Sequence, residues 1–197
     1  DIQIYSACSD FIISNNIFDD ISRKHIQSFI DVSSKIGCKL IVLPFFGESN
    51  IDPKDFSELV KTMQDLADYA AKKKIQIAIE TPFTPDDMIG LLERINLKET
   101  VKCVFDTGNR ALLSDNLPNE IRKIDQWISH VHVKDKDSSD ENVALGTGIV
   151  NFKEVFNAFS DIRYNGPFVF ETTRGKDPLR TAAYNMYTCD YHYSESN

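Results

Sequence analysis

The sequence predicts an α/β protein built on a parallel (β/α) barrel plan, and three observations carry that reading. Short apolar runs alternate with longer stretches of helical periodicity along the whole chain. The runs are apolar at nearly every position, as strands covered on both faces must be. Four successive runs end on Glu80, Asp106, His132 and Glu171, and in a parallel barrel all strand ends of one sense share one face. The 197 residues, 42% of them apolar, suffice for one substantial core, so a single domain spanning 1–197 is expected.

Six strand–helix units follow in order. The strand "IQIYSA" (2–7) leads to a helix over 17–36, in which Ile17, Ile21, Phe29, Val32 and Ile36 recur at roughly helical spacing before Gly37, a residue suited to a left-handed cap. "KLIVLP" is the next strand. Asp52 as N-cap and Pro53 in the first turn then open a helix whose buried stripe is Phe56, Leu59, Val60, Met63, Leu66, Ala67 and Ala70. "IQIAIE" leads to a helix near 85–94, and "VKCVFD" to short helical pieces between 108 and 124. "ISHVHVK" precedes a helix near 151–160, and "GPFVFE" one near 177–192. An open nucleotide-binding sheet would carry a glycine-rich turn after its first strand; "SACSDFIISNN" has none, which favours the barrel.

Charge and cysteine usage narrow the partners. A net charge of -8 argues against nucleic acid, because nothing supplies the basic stripe that phosphates require, and a small-molecule substrate is expected instead. Cys8, Cys38, Cys103 and Cys189 lie far apart with no CxxC pair, and Cys8 and Cys103 fall in strands, where a thiol acts as a small hydrophobe in a reducing compartment. No apolar run is long enough to span a bilayer, and the first ten residues lack the features of a signal peptide. A cytoplasmic protein without membrane partners is the expectation.

The segment "ISHVHVKDKD" sets His130, His132 and Lys134 on one strand face and Val131 and Val133 on the other. His132 is read as a metal ligand, and His130 as a hydrogen-bonded residue one layer below it. Taken singly, Glu80, Asp106 and Glu171 read better as N-caps of the following helices. Taken together with His132, three carboxylates and an imidazole suit one divalent cation, Mn²⁺, Mg²⁺, Co²⁺ or Zn²⁺, and no thiolate makes it a structural zinc centre.

In their order "AIE", "FDTGN", "HVHVKD", "LGTG" and "FVFET", residues 39 to 190 resemble the sugar isomerase/epimerase group of xylose isomerase-like TIM barrels, which includes tagatose 3-epimerase-like and inosose dehydratase-like enzymes. The resemblance implies that Glu80, Asp106, His132 and Glu171 bind the cation. It also implies that Glu80 and Glu171 flank the substrate carbon as an acid/base pair, and that a sugar or sugar phosphate reacts through a metal-stabilised enediolate. An inosose dehydratase-like lyase starts with the same proton removal. A non-catalytic barrel that binds a carbohydrate or protein is the reading from another class. Asn109, Lys134 and Arg174 are the substrate-binding candidates: Lys134 either offsets oxyanion charge, contacts a phosphate or simply emerges at the barrel rim, and Arg174, with Lys176, either binds a phosphate or lies in a solvated loop. Asp135 is read as capping the following loop or orienting a ligand. Many ketose 3-epimerases carry a histidine and an arginine where this chain has Asn109 and Ser138. A trinuclear-zinc nuclease is discounted, since His25, His130, His132 and His192 are the only histidines and Asp140 and Asn142 stand where that enzyme's pattern would have aspartate and histidine ligands. The resemblance aligns "IQIYSA" with the third strand of eight, so the first two units have no counterpart. A barrel truncated at its N-terminus is the first reading; a partner chain covering the gap and a degenerate barrel are the others. Tyr184, Tyr187 and Tyr191 are placed on a helix face that packs on the barrel or on a neighbouring subunit, which leaves a homo-oligomer open.

Overall fold

Strands and helices alternate through residues 2–53 and 56–194, the part of the chain that the computed structural model describes. Two compact units divide it, Asp1–Val104 and Phe105–Asn197.

The first unit holds β1 (Ser6–Cys8), α1 (Asp20–Lys35), β2 (Leu40–Pro44), α2 (Ser57–Lys72), β3 (Gln76–Glu80), α3 (Pro85–Ile95) and the start of β4 (Val101–Asp106). Its strands pair in parallel in chain order, with Ser6 opposite Leu40, Val42 opposite Ala78, and Ile79 opposite Cys103. Two-residue alternation sends Leu40, Val42, Ala78 and Val104 to one face, where they form a buried apolar cluster. Ile41, Leu43, Ile77 and Ile79 are buried on the other. Glu80 lies two residues beyond Ala78 on the clustered face and ends β3.

α3 starts and stops as local chemistry dictates. The Thr84 hydroxyl accepts from the Asp87 N–H, Pro85 occupies the first turn, and Asn96 closes the helix at φ 55°. α1 differs from expectation. Its buried positions are Ser22, Ile26, Ile30 and Ser33, whereas Ile21, Val32 and Ile36 are exposed. Two small serines complete the buried stripe, so three of the five apolar residues counted in the sequence face outward, while Ile17 is buried ahead of the helix and Phe29 is half-buried. Gly37 does take the left-handed conformation, at φ 79°.

β1 begins four residues later than "IQIYSA" suggests. Its partner β2 starts at Leu40, so the ladder begins opposite it at Ser6, and Ile2, Ile4 and Tyr5 stay exposed. Cys8 is exposed as well, so it is no core hydrophobe, while Cys103 is buried, and both are free thiols. α2 starts at Ser57, not at Asp52–Pro53, which precede it; Lys54 and Asp55 lie outside the described residues. Phe56, packed on the Phe83 ring at 5.3 Å, anchors that start by burial where no side-chain cap does. Leu59, Met63, Leu66, Ala67 and Ala70 form the expected stripe, and each of the larger ones contributes about 1.5–3 kcal/mol by leaving water.

The second unit holds the end of β4, then α4 (Thr107–Ala111), α5 (Leu117–Ile124), β5 (Ile128–Val133), α6 (Phe152–Asp161), β6 (Phe168–Phe170) and α7 (Pro178–Ser194). β5 and β6 pair in parallel, His132 opposite Val169. Phe159 meets Phe105 at 5.8 Å and Phe168 at 5.2 Å, both edge to face, the geometry that aromatic quadrupoles favour. In α7 only Asn185 is buried; Tyr184, Tyr187 and Tyr191 are exposed in the single chain, with the Tyr184 hydroxyl donating to the Leu145 carbonyl at 2.8 Å. Among the described residues no helix is long and apolar enough to cross a membrane.

A bidentate pair fastens α4 to α5: Arg110 Nε and Nη2 donate to Glu120 at 2.8 and 2.7 Å, and both residues are buried. Removing one partner strands the other charge in a poorly solvated place. Glu120→Ala should therefore lower the unfolding free energy by about 3 kcal/mol, read as a fall in urea midpoint at unchanged slope.

Candidate metal centre

Three strand ends of the second unit bring their polar side chains together. Asp106 is the last residue of β4, and its Oδ1 accepts the Asn109 N–H at 2.7 Å, which makes it the N-cap of α4. That commitment leaves Oδ2, buried, facing the neighbouring strands. The ring of His132 stands one residue before the end of β5, on the face it shares with His130. Glu171 follows β6 directly, and its N–H extends the ladder to the Val133 carbonyl at 3.2 Å. Alternation along β6 then puts Glu171 on the face of Val169, and so on the face of His132.

One ligand atom from each of Asp106, His132 and Glu171 lies within 4.8 Å of the other two. His132 Nδ1 is 2.6 Å from Glu171 Oε2 and 3.7 Å from Asp106 Oδ2. Lys134, the next residue along that face, is 6% exposed. Its Nζ donates to Glu171 Oε1 at 2.8 Å and sits 3.1 Å from Asp106 Oδ2. Burial alone would lower the Lys134 pKa, but the charges of Asp106 and Glu171 outweigh it and hold the ammonium above its ordinary value. Burial likewise opposes the charge on Glu171, and hydrogen bonds from His132 and Lys134 reverse that, bringing the carboxyl down to about 2. Glu171 is half exposed, so solvent screens the energy behind this shift.

His130 is not hydrogen-bonded as the sequence suggested. Its Nδ1 has no hydrogen-bond partner among the described residues, and its ring instead meets His132 edge to face at 5.0 Å. Burial, reinforced by His132, pushes its pKa down to about 4, which keeps it neutral near pH 7.

Two supports were not assigned roles from sequence, although both lie inside quoted motifs. The Thr107 hydroxyl donates to the Lys134 carbonyl at 2.6 Å and accepts from the Lys134 N–H at 2.9 Å, closing the backbone of β5 onto the start of α4. A Cβ on Gly108 would stand 2.8 Å from Lys134 Cγ, so only glycine lets the lysine stem pass. Asp135 does cap the following loop. Fully buried, it accepts from the N–H groups of Gly146, Gly148 and Val150 at 2.9, 2.8 and 3.1 Å.

Of the remaining candidates, Glu80 is buried at the end of β3 in the first unit. It does not cap α3, a task taken by Thr84. Asn109 lies in the first turn of α4. Arg174 is exposed in the segment after β6, with no hydrogen bond or ion pair to the cluster among the described residues.

Oxygen and nitrogen donors on three adjacent strand ends fit a divalent cation of the Mn²⁺, Mg²⁺ or Zn²⁺ kind. The cluster also offers proton-transfer groups, since Glu171 accepts a hydrogen bond from an ammonium and lies 2.6 Å from an imidazole nitrogen.

A family model described as xylose isomerase-like TIM barrel matches residues 3–188. An L-ribulose 3-epimerase of Methylomonas sp. is 30% identical over 121 residues, which cover 57% of this chain and 41% of that protein. An inosose dehydratase of Clostridium botulinum is 21% identical over 206 residues, covering 86% and 69%. A xylose isomerase-like TIM barrel protein from Mycobacterium smegmatis, solved in complex with magnesium, superposes with a TM-score of 0.75 at 20% identity, over 100% of this chain and 75% of that one, a likeness of fold. The chain spans about half the length of the first curated relatives it matches.

The support that Thr107 gives to the cluster is separable from its charge. Thr107→Val keeps the side-chain shape and leaves a buried N–H and C=O unpaired. It should cost about 2 kcal/mol of stability, measured by urea unfolding, with Thr107→Ser losing much less.

Proposed function

From a chain that belongs to the xylose isomerase-like TIM barrel family, we propose a divalent-metal-dependent epimerase or isomerase of a sugar or sugar phosphate. The observation that carries the reading is the convergence of Asp106, His132 and Glu171 from three strand ends. The epimerase and dehydratase relatives support its chemical class.

In this reading Glu80, from the end of β3, joins Asp106, His132 and Glu171 as the fourth ligand. When bound, the cation supplies a Lewis acid that stabilises negative charge on neighbouring substrate oxygens. Glu171 takes the proton alpha to the carbonyl, and the enediolate so formed is reprotonated from the other face by Glu80, which gives up its own carboxyl proton and is left a carboxylate. Asn109 binds a substrate hydroxyl, and Lys134 offsets oxyanion charge. Arg174 is assigned to a phosphate on the substrate.

A lyase of the inosose dehydratase type is the second reading, supported by the relative that covers 86% of the chain. It shares the first proton removal and then expels a hydroxyl, so the product distinguishes the two.

Incubation with Mn²⁺ in D₂O and a panel of ketoses, ketose phosphates and inososes tests the reading. The expected outcome is deuterium at the carbon beside the carbonyl of one recovered sugar, with Glu171→Gln slowing exchange by about 10²–10⁴-fold. A product lacking one hydroxyl selects the lyase. A folded protein that binds no divalent cation and exchanges no proton contradicts both.

A further inference from the structure

We propose that Lys134 is an internal counter-cation that competes with the divalent cation for Asp106 and Glu171, and that its head group is released when the cation enters. The inference rests on the metal reading of this site and adds an exchange between two positive charges.

Three observations carry it. First, the ammonium contacts two groups of the proposed ligand set at once, at 2.8 Å from Glu171 Oε1 and 3.1 Å from Asp106 Oδ2. Second, the Oδ1 of Asp106 accepts the α4 cap hydrogen bond, and it is Oδ2, the oxygen turned toward His132, that the ammonium meets, so a cation drawn to Oδ2 meets the ammonium's charge there. Third, the lysine is held there by construction. Thr107 clamps its backbone from both sides, and Gly108 opens the channel for its stem. The side chain has no other hydrogen-bond partner among the described residues.

Two carboxylates drawn this close repel one another, and the buried ammonium offsets that repulsion in the metal-free protein. A divalent cation performs the same service with twice the charge, after which an ammonium beside it is repelled. Lysine suits such an exchange, because its point charge rides on a flexible four-carbon stem, whereas the planar fork of arginine fixes its partners. The order of events follows: cation entry frees the head group, and only then is Lys134 available to a substrate oxygen. Lys134 is thus a positioning residue for the two carboxylates before it is a substrate contact.

Calorimetric titration with Mn²⁺ and metal-free thermal melts, on wild type and Lys134→Met, test the exchange. The substitution should tighten Mn²⁺ binding about tenfold or more and lower the metal-free melting temperature. Equal or weaker Mn²⁺ binding by the variant, with binding by wild type intact, overturns the inference and leaves the metal reading standing. Absence of Mn²⁺ binding by both proteins overturns the two together. Acetylation of the wild-type protein followed by mass spectrometry decides the matter even if the variant does not fold. Mn²⁺ should raise labelling at Lys134, and unchanged or reduced labelling contradicts the release.

Discussion

Like charges brought close together at strand ends are the constraint on which this protein turns. Asp106 and Glu171 are held near one another by features that have no chemistry of their own: a helix cap, a parallel ladder and the alternation of a pleat. Carboxylates so placed need positive charge beside them. Lys134 provides it from the strand between, and with His132 the two carboxylates form a donor set that a divalent cation fits. The supports around the cluster follow from that need. Thr107 fixes the lysine backbone, Gly108 gives the stem room, and the buried Asp135 gathers three backbone N–H groups of the following loop.

Much of this arrangement is visible in the residues alone, because it depends on the periodicity of strands. A parallel strand buried on both faces has little reason to end in an acid, and four consecutive runs that end in ligand types stand out against their apolar bodies. The six runs correspond to the six strands, and the helix expected near 151–160 is α6, with Asn151 as its cap through the Glu154 N–H. Of the two readings of Asp106, the cap is seen directly, and it leaves Oδ2 turned toward His132 and Lys134.

What escaped the sequence depends on packing against neighbours. The buried stripe of α1 uses Ser22 and Ser33, small residues that an apolar count passes over, while Ile21 and Val32 face outward. The length of β1 is set by where β2 begins. Spacing puts His130 beside His132 on the strand face, and the rings do meet, but the missing partner of its Nδ1 among the described residues depends on what surrounds the strand. Thr107 was visible only as the letter after an acid. Its two hydrogen bonds reach a residue 27 positions away, and such a contact has no signature along the chain.

The central claim, that these strand ends hold one divalent cation, is most directly tested by anomalous diffraction from crystals grown with Mn²⁺. The account predicts a single manganese peak bonded to Asp106, His132 and Glu171. Density showing those side chains bonded only to one another and to Lys134, with manganese elsewhere or nowhere, would contradict it.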